Sequence, residues 1–185
     1  ECSVGIAIAH FKAPLQDVVR AAQQAEKRAK GRVAARGYGR RAVAVTLMKR
    51  SGEIIEWGAT WEGGGLPAYK SALDALREDV VSSKFPHRII ELVESYRTSI
   101  PGKMGGTKAA DTFNIAADEI LRREIGVAAE RQRGKKFSPP RVAELQESLV
   151  SYIRGLQGQS KVGDLIGLCQ TVAFAHRTTA ESDNT

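Results

Sequence analysis

The side chains that could do chemistry in this sequence point towards phosphate. Cations and glycines gather in three stretches. Gly31–Arg40 holds Arg32, Arg36 and Arg40 among three glycines. Lys103–Lys108 lies in PGKMGGTK, and Arg131–Lys136 reads RQRGKK. Arg122–Arg123 adds a basic pair on a helical pattern. Glycine-flanked cations suit a phosphate, although ordinary solvated loops explain the same residues. Other chemistries find little support. His10 has the pKa range for proton transfer, but it ends a strand alone, and His87 and His176 are equally isolated. Cys2 and Cys169 form no CxxC pair, so neither a zinc site nor a disulfide framework is expected. Glu62–Gly65 (EGGG) is not a phosphate loop, because no GK[ST] follows it.

Composition narrows the class. The chain has 185 residues, enough for one ordinary domain or two small ones. Hydrophobic residues make up 42%, which supports a real core. A net charge of +7 favours an anionic partner: RNA, DNA or an acidic protein surface. No apolar run approaches the ~20 residues that span a bilayer, and no signal peptide is evident. A cytoplasmic, reducing setting with no membrane contact is expected. The sequence opens inside a strand, as expected of a piece from the middle of a longer protein.

The elements that position these residues start at once. In Ser3–His10, Val4, Ile6 and Ile8 alternate with Gly5, Ala7 and Ala9. Large residues face one side and small ones the other, which fits a sheet covered on both faces. The small ones would let a helix or a ligand approach. Pro14 suits a first helical turn, and Asp17 adds favourable charge there. Leu15, Val18, Val19, Ala22, Ala25 and Ala29 then form one apolar stripe. Lys27, Arg28 and Lys30 crowd the last turn, where cations suit the helix dipole, and Gly31 is the expected stop. Ala42–Met48 alternates again. A turn at Arg50–Glu53 leads into Ile54–Trp57, predicting a hairpin with Lys49 at or just before its tip. EGGG reads as a flexible exit and a domain boundary.

SVGIAIAHFKAPLQDVVRAAQQAEKRAKG followed by RAVAVTLMKRSGE resembles the second palm domain of Cas10, the large subunit of type III CRISPR effector complexes, in its Cmr2 form. The shared pattern is a strand S-x-G-I-x-I-x-H, a Lys, Pro-Leu, a helix rich in Ala, Lys and Arg, and a strand ending in K-R-S-G. It covers Ser3–Glu53 and is loose beyond Tyr69. The diguanylate cyclases share the palm fold, but the I-A-H-F-K turn and the K-R-S-G ending favour Cas10.

The resemblance implies a target-RNA-activated enzyme that makes cyclic oligoadenylates from ATP with Mg²⁺ or Mn²⁺. In that family a G-G-D-D hairpin supplies the metal-holding carboxylates. This sequence has none: Asp17, Asp74, Asp79 and Asp111 fall on helical patterns. The piece is therefore expected to hold no catalytic or metal-ligating residue and to be inactive alone. Three ATP contacts are implied. Ser3 matches the strand serine near the adenine pocket, with Gly5 and Ala7 keeping space beside it. Lys30 matches the helix-end lysine that approaches phosphates, although the long Gly31–Arg40 loop puts its register in question. Lys49 is the lysine of K-R-S-G, placed for triphosphate contact. Implied partners are the small and backbone subunits, the guide RNA and the target RNA. A non-catalytic scaffold or RNA-binding module of the same complex, or a diguanylate-cyclase relative, would also carry much of this pattern.

Beyond the exit, five segments repeat apolar residues at helical spacing: Pro67–Ser82, Pro86–Arg97, Lys108–Gly126, Pro139–Leu156 and Val162–Arg177. RQRGKKFSPP, between two of them, is the best candidate RNA or partner loop. Ala180–Thr185 is polar and should fray. The expected fold is α+β: residues 1–65 a partial ferredoxin-like palm, as strand, helix and hairpin, and residues 66–185 a helical bundle that the resemblance likens to the small subunit.

Overall fold

A computed structural model describes residues 2–32, 37–99, 106–132, 138–156 and 161–182. The elements are β1 (Val4–Ala9), α1 (Leu15–Lys30), β2 (Ala42–Met48), β3 (Ile54–Thr60), α2 (Gly65–Arg77), α3 (Phe85–Ser99), α4 (Gly106–Arg131), α5 (Pro139–Gly155) and α6 (Lys161–Ser182). The protein is α+β, with one three-stranded mixed sheet and six helices among the described residues. It divides into two compact units, Glu1–Leu66 and Pro67–Thr185.

In the first unit the strand order is β1-β2-β3. β1 and β2 run parallel, with Val4 opposite Val43 and Ala9 opposite Met48. A parallel pair needs a crossover, and α1 supplies it. β2 and β3 form an antiparallel hairpin, with Ala42 opposite Thr60 and Met48 opposite Ile54. Its loop closes through Lys49 N–H to the Glu53 carbonyl (2.9 Å), with Gly52 left-handed at φ 86°.

The small residues of β1 are there for α1. A Cβ on Gly5 would stand 2.2 Å from the Glu26 nitrogen and 2.6 Å from the Ala22 carbonyl oxygen. Backbone meets backbone there, and only glycine allows it. The space beside Gly5 is thus filled by α1, which corrects the expectation of room for a ligand. Ala25, Ala29, Ala42 and Ala44 complete this thin core, with Tyr38 packed against it. The buried stripe of α1 is Ala21, Ala25 and Ala29, while Leu15 and Val19 are exposed. The helix approaches closely enough that alanines, rather than its larger residues, fit beneath it.

On the other face of the sheet Val43, Val45 and Leu47 of β2 and Ile55, Trp57 and Ala59 of β3 are all buried. β2 is thus enclosed on both faces. β1 is less so: Ile6 and Ile8 are 39% and 42% exposed.

In the second unit α3 packs against both α4 and α6, and α4 against α5. Ala117, Leu121, Ile125 and Ala129 repeat every fourth residue along α4, as do Leu145, Leu149 and Ile153 along α5. Such i+4 ridges interdigitate. Ion pairs border the contact: Asp118 accepts from Arg122 (2.8 Å) and from Arg154, and Arg122 reaches Glu147 (3.0 Å). Burial alone would raise the Asp118 pKa, but these arginine bonds outweigh it and hold the carboxyl below its ordinary value. Arg141 of α5 grips Glu78, just after α2, through two nitrogens.

Helix ends differ from the sequence expectation in several places; α6 runs on to Ser182 instead of Arg177, through residues 180–182 of the tail expected to fray. α2 starts at Gly65, inside EGGG, and stops at Arg77 instead of Ser82. Asp79 takes a left-handed φ of 56°, and the Val80 N–H bonds back to the Ala75 carbonyl (2.9 Å). This is a Schellman end with aspartate where glycine is usual. Gly126 does not end α4, which continues to Arg131. Among the described residues no helix is long and apolar enough to cross a membrane.

Candidate functional site

The strand–helix–strand path decides which candidate residues meet. α1 runs opposite to β1 and β2, so its C-terminal end returns to where those strands begin. Ser3, half-buried before β1, and Lys30, the last residue of α1, therefore share one end of the sheet. Lys49 directly follows β2, one step beyond the Ala9–Met48 pair, at the opposite end. Seven strand positions separate its level from that of Ser3, roughly 23 Å at ~3.3 Å each. Ser3 and Lys30 thus lie at one end of the sheet and Lys49 at the other.

Both lysines have carboxylate partners. Lys30 bonds Glu26 one turn back, and this bond holds the Glu26 carboxyl below its ordinary pKa. Lys49 bonds Glu53 across the hairpin loop at 2.8 Å. An arriving phosphate would have to compete with these exposed carboxylates, a small cost because such pairs are weak in water.

The basic loop after α1 is more ordered in purpose than its composition suggests. Residues 33–36 lie outside the described residues. The rest folds back over the helix end. Tyr38 N–H donates to the Arg28 carbonyl (2.9 Å), Gly39 N–H to Gly31 (2.8 Å) and Arg40 N–H to Ala29 (3.0 Å). These donors cap α1 rather than cradling an anion. Tyr38 is held against Gly58 of β3, where a Cβ would come within 2.4 Å of the ring. Gly39, Arg40 and Arg41 are then all left-handed, at φ 79°, 74° and 49°.

Two residues matter here beyond the site candidates named from the sequence. Trp61 ties the corner together: its backbone N–H donates to the Arg41 carbonyl (2.8 Å), and its indole Nε1–H donates to the Cys2 carbonyl (2.8 Å), next to Ser3. The residue remains 43% exposed. Arg28 was expected to serve the helix dipole, but its guanidinium turns onto the sheet. It donates to the Val45 carbonyl (3.1 Å), to Thr46 Oγ1 (2.8 Å) and to Glu56. Thr46 was the signal: one polar residue in a buried apolar strand needs a partner.

At the other end of the unit, Ala7–Phe11, Ala13, Leu15 and Val18 line a shallow groove of about 450 Å³. Phe11 is 85% exposed, with Lys12 Nζ 5.6 Å above its ring. His10 Nδ1 accepts the Lys12 backbone N–H (3.2 Å), a local structural role. No second strand pairs with β1 among the described residues.

The remaining basic candidates are only partly visible. Residues 103–105 and 133–136 lie outside the described residues, while Gly106–Lys108 open α4 and Arg131 ends it. Residues 183–185, in the tail expected to fray, are likewise outside them. Cys169 is buried in α6, and burial pushes its thiol up to about 12. Among the described residues no three His, Cys, Asp or Glu side chains gather to hold a metal ion.

No protein-family model matches the chain, and no curated protein matches it.

Proposed function

We propose that this chain is the C-terminal portion of a Cas10-type large subunit of a type III CRISPR effector complex. Its first unit is the closing part of a palm domain that uses ATP, and its helical unit meets neighbouring subunits and RNA. The observation that carries this reading is the joint placement of Ser3 and Lys30. The resemblance assigns one to the adenine and the other to phosphate, and the β1–α1–β2 path delivers both to one end of one sheet.

A second feature supports it. β1 carries exposed Ile6 and Ile8 along an edge with no described partner, beside buried Val43, Val45 and Leu47. A further strand along that edge would bury them. In this reading the rest of the palm supplies that strand, together with the carboxylates for Mg²⁺ or Mn²⁺. The metal would activate the attacking hydroxyl and offset phosphate charge there. Ser3 would hydrogen-bond the base, Lys30 would exchange Glu26 for phosphate, and α1, seated on Gly5, would keep the two in register. Lys49 falls outside this cluster and is better placed for a partner surface.

The test is product analysis by mass spectrometry. The full-length subunit, assembled with its guide and matching target RNA, is incubated with ATP and Mg²⁺ or Mn²⁺. Cyclic oligoadenylates are expected. No product from a complex that still binds target RNA would reject the signalling role and leave a scaffold.

A further inference from the structure

The corner built around Trp61 has features that the ATP reading does not use. Trp61 is held at both ends, its backbone N–H donating to the Arg41 carbonyl and its indole Nε1–H to the Cys2 carbonyl, and 43% of the residue still lies in water. A clamped, exposed indole is a ready stacking face, because little rotamer freedom is lost when a base lands on it. The adjoining cations are also built in. Arg40 and Arg41 both adopt left-handed backbone conformations that arginine rarely takes. The conformation is enforced by the Gly39 and Arg40 capping bonds to α1 and by Tyr38, wedged against Gly58. Glycine or asparagine would occupy these positions with less strain. Glu62 neutralises Arg41, whereas Arg40 and Arg32 are exposed and pair with no carboxylate among the described residues.

We propose that Trp61, Arg40 and Arg32 form a docking face for single-stranded nucleic acid, with one base stacked on Trp61 and the flanking phosphates met by the two arginines. A strand suits the site better than a free nucleotide, because Arg40, one residue before Trp61's backbone partner Arg41, and Arg32 offer two separate exposed cations on one loop. The backbone strain at Arg40 is the signature of this role: the corner holds a guanidinium where its own stability would favour glycine. The inference rests on Trp61 and Arg40 and does not require the ATP reading.

The chain has two tryptophans, and Trp57 is buried, so quenching reports Trp61 directly. The 185-residue chain is titrated with a short single-stranded oligoadenylate RNA, and separately with ATP, at several salt concentrations. The RNA should quench the exposed indole and bind more weakly as salt rises. Trp61→Phe should keep binding within a few-fold, and Trp61→Ala should lose about tenfold or more. Arg40→Gly should weaken binding and reduce the salt slope by about 0.7, while raising the urea midpoint. Unchanged affinity in Trp61→Ala and Arg40→Gly would overturn the proposal. So would a lowered urea midpoint in Arg40→Gly, which would make Arg40 a structural residue. ATP displacing the RNA at matched concentration would overturn the strand reading in favour of a single nucleotide.

Discussion

Replacing Gly5 by alanine tests whether the close approach of α1 is what shapes this end of the sheet. The added Cβ would lie 2.2 Å from the Glu26 nitrogen and 2.6 Å from the Glu26 Cα and the Ala22 oxygen. All three are backbone atoms of α1, so no rotamer change relieves the clash. The helix has to retreat by roughly 1 Å to restore an ordinary 3.4 Å contact, opening the alanine core behind it. Overpacking of this kind costs about 1–3 kcal/mol. Loss of glycine's unfolded-state freedom returns about 0.5–1 kcal/mol at most. Because the obstacle is rigid, the net expectation is a loss of about 2 kcal/mol. With a small-domain urea slope of about 1–2 kcal/mol per molar, the midpoint falls by about 1 M or more. Both tryptophans lie in the first unit, so their fluorescence follows its unfolding. Unchanged or increased stability would refute the packing argument and restore the idea that Gly5 leaves space for a ligand.

Three further outcomes follow from the structure. Arg28→Met should destabilise the first unit by about 1.5–3 kcal/mol, since it strips a charged donor from Thr46 and the Val45 carbonyl; tryptophan-detected urea melts measure it, and a neutral result would make the guanidinium network ornamental. Gly126→Ala should stabilise α4 by about 0.5–1 kcal/mol, because nothing lies within 4 Å of the new methyl in mid-helix; circular dichroism melts would show a rise. Cys169 keeps its proton up to about pH 12 in the folded chain, whereas an ordinary thiol ionises near 9.0. The stability it contributes is therefore full below pH 9 and is lost as pH rises towards 12. Cys169→Ala should flatten that part of the pH–stability profile relative to the native chain, and a thiol reagent at pH 8 should label Cys2 but spare Cys169 until the chain unfolds.

Local patterns that were strong in the sequence reappear in the structure. The alternation in Ser3–His10 and Ala42–Met48, the proline-started helix between them and the turn at Ser51–Gly52 all give regular elements. What local pattern could not convey was distance across the fold. Leu15 and Val19 belong to the apolar stripe of α1 by spacing, yet the pressure of Gly5 against the helix leaves room only for alanines. Asp79 ends α2 because it accepts a left-handed turn that composition assigns to glycine. Lys30 and Lys49 looked alike as cations at element ends, and only the reversal of direction through α1 separates them. Trp61 carried no signal of its own in the sequence; its role depends on Cys2, distant in sequence but bonded to its ring. Tyr38 was legible in principle, as a lone aromatic in a glycine–arginine loop that has to be buried somewhere.

The account rests most heavily on the site lying at the Ser3–Lys30 end of the sheet. The direct measurement is the ATP dependence of product formation by the assembled full-length complex, comparing Lys30→Ala with Lys49→Ala. The account predicts a raised KM for ATP in Lys30→Ala and a near-native KM in Lys49→Ala. A raised KM in Lys49→Ala with Lys30→Ala unaffected would contradict it and move the phosphate site to the hairpin end.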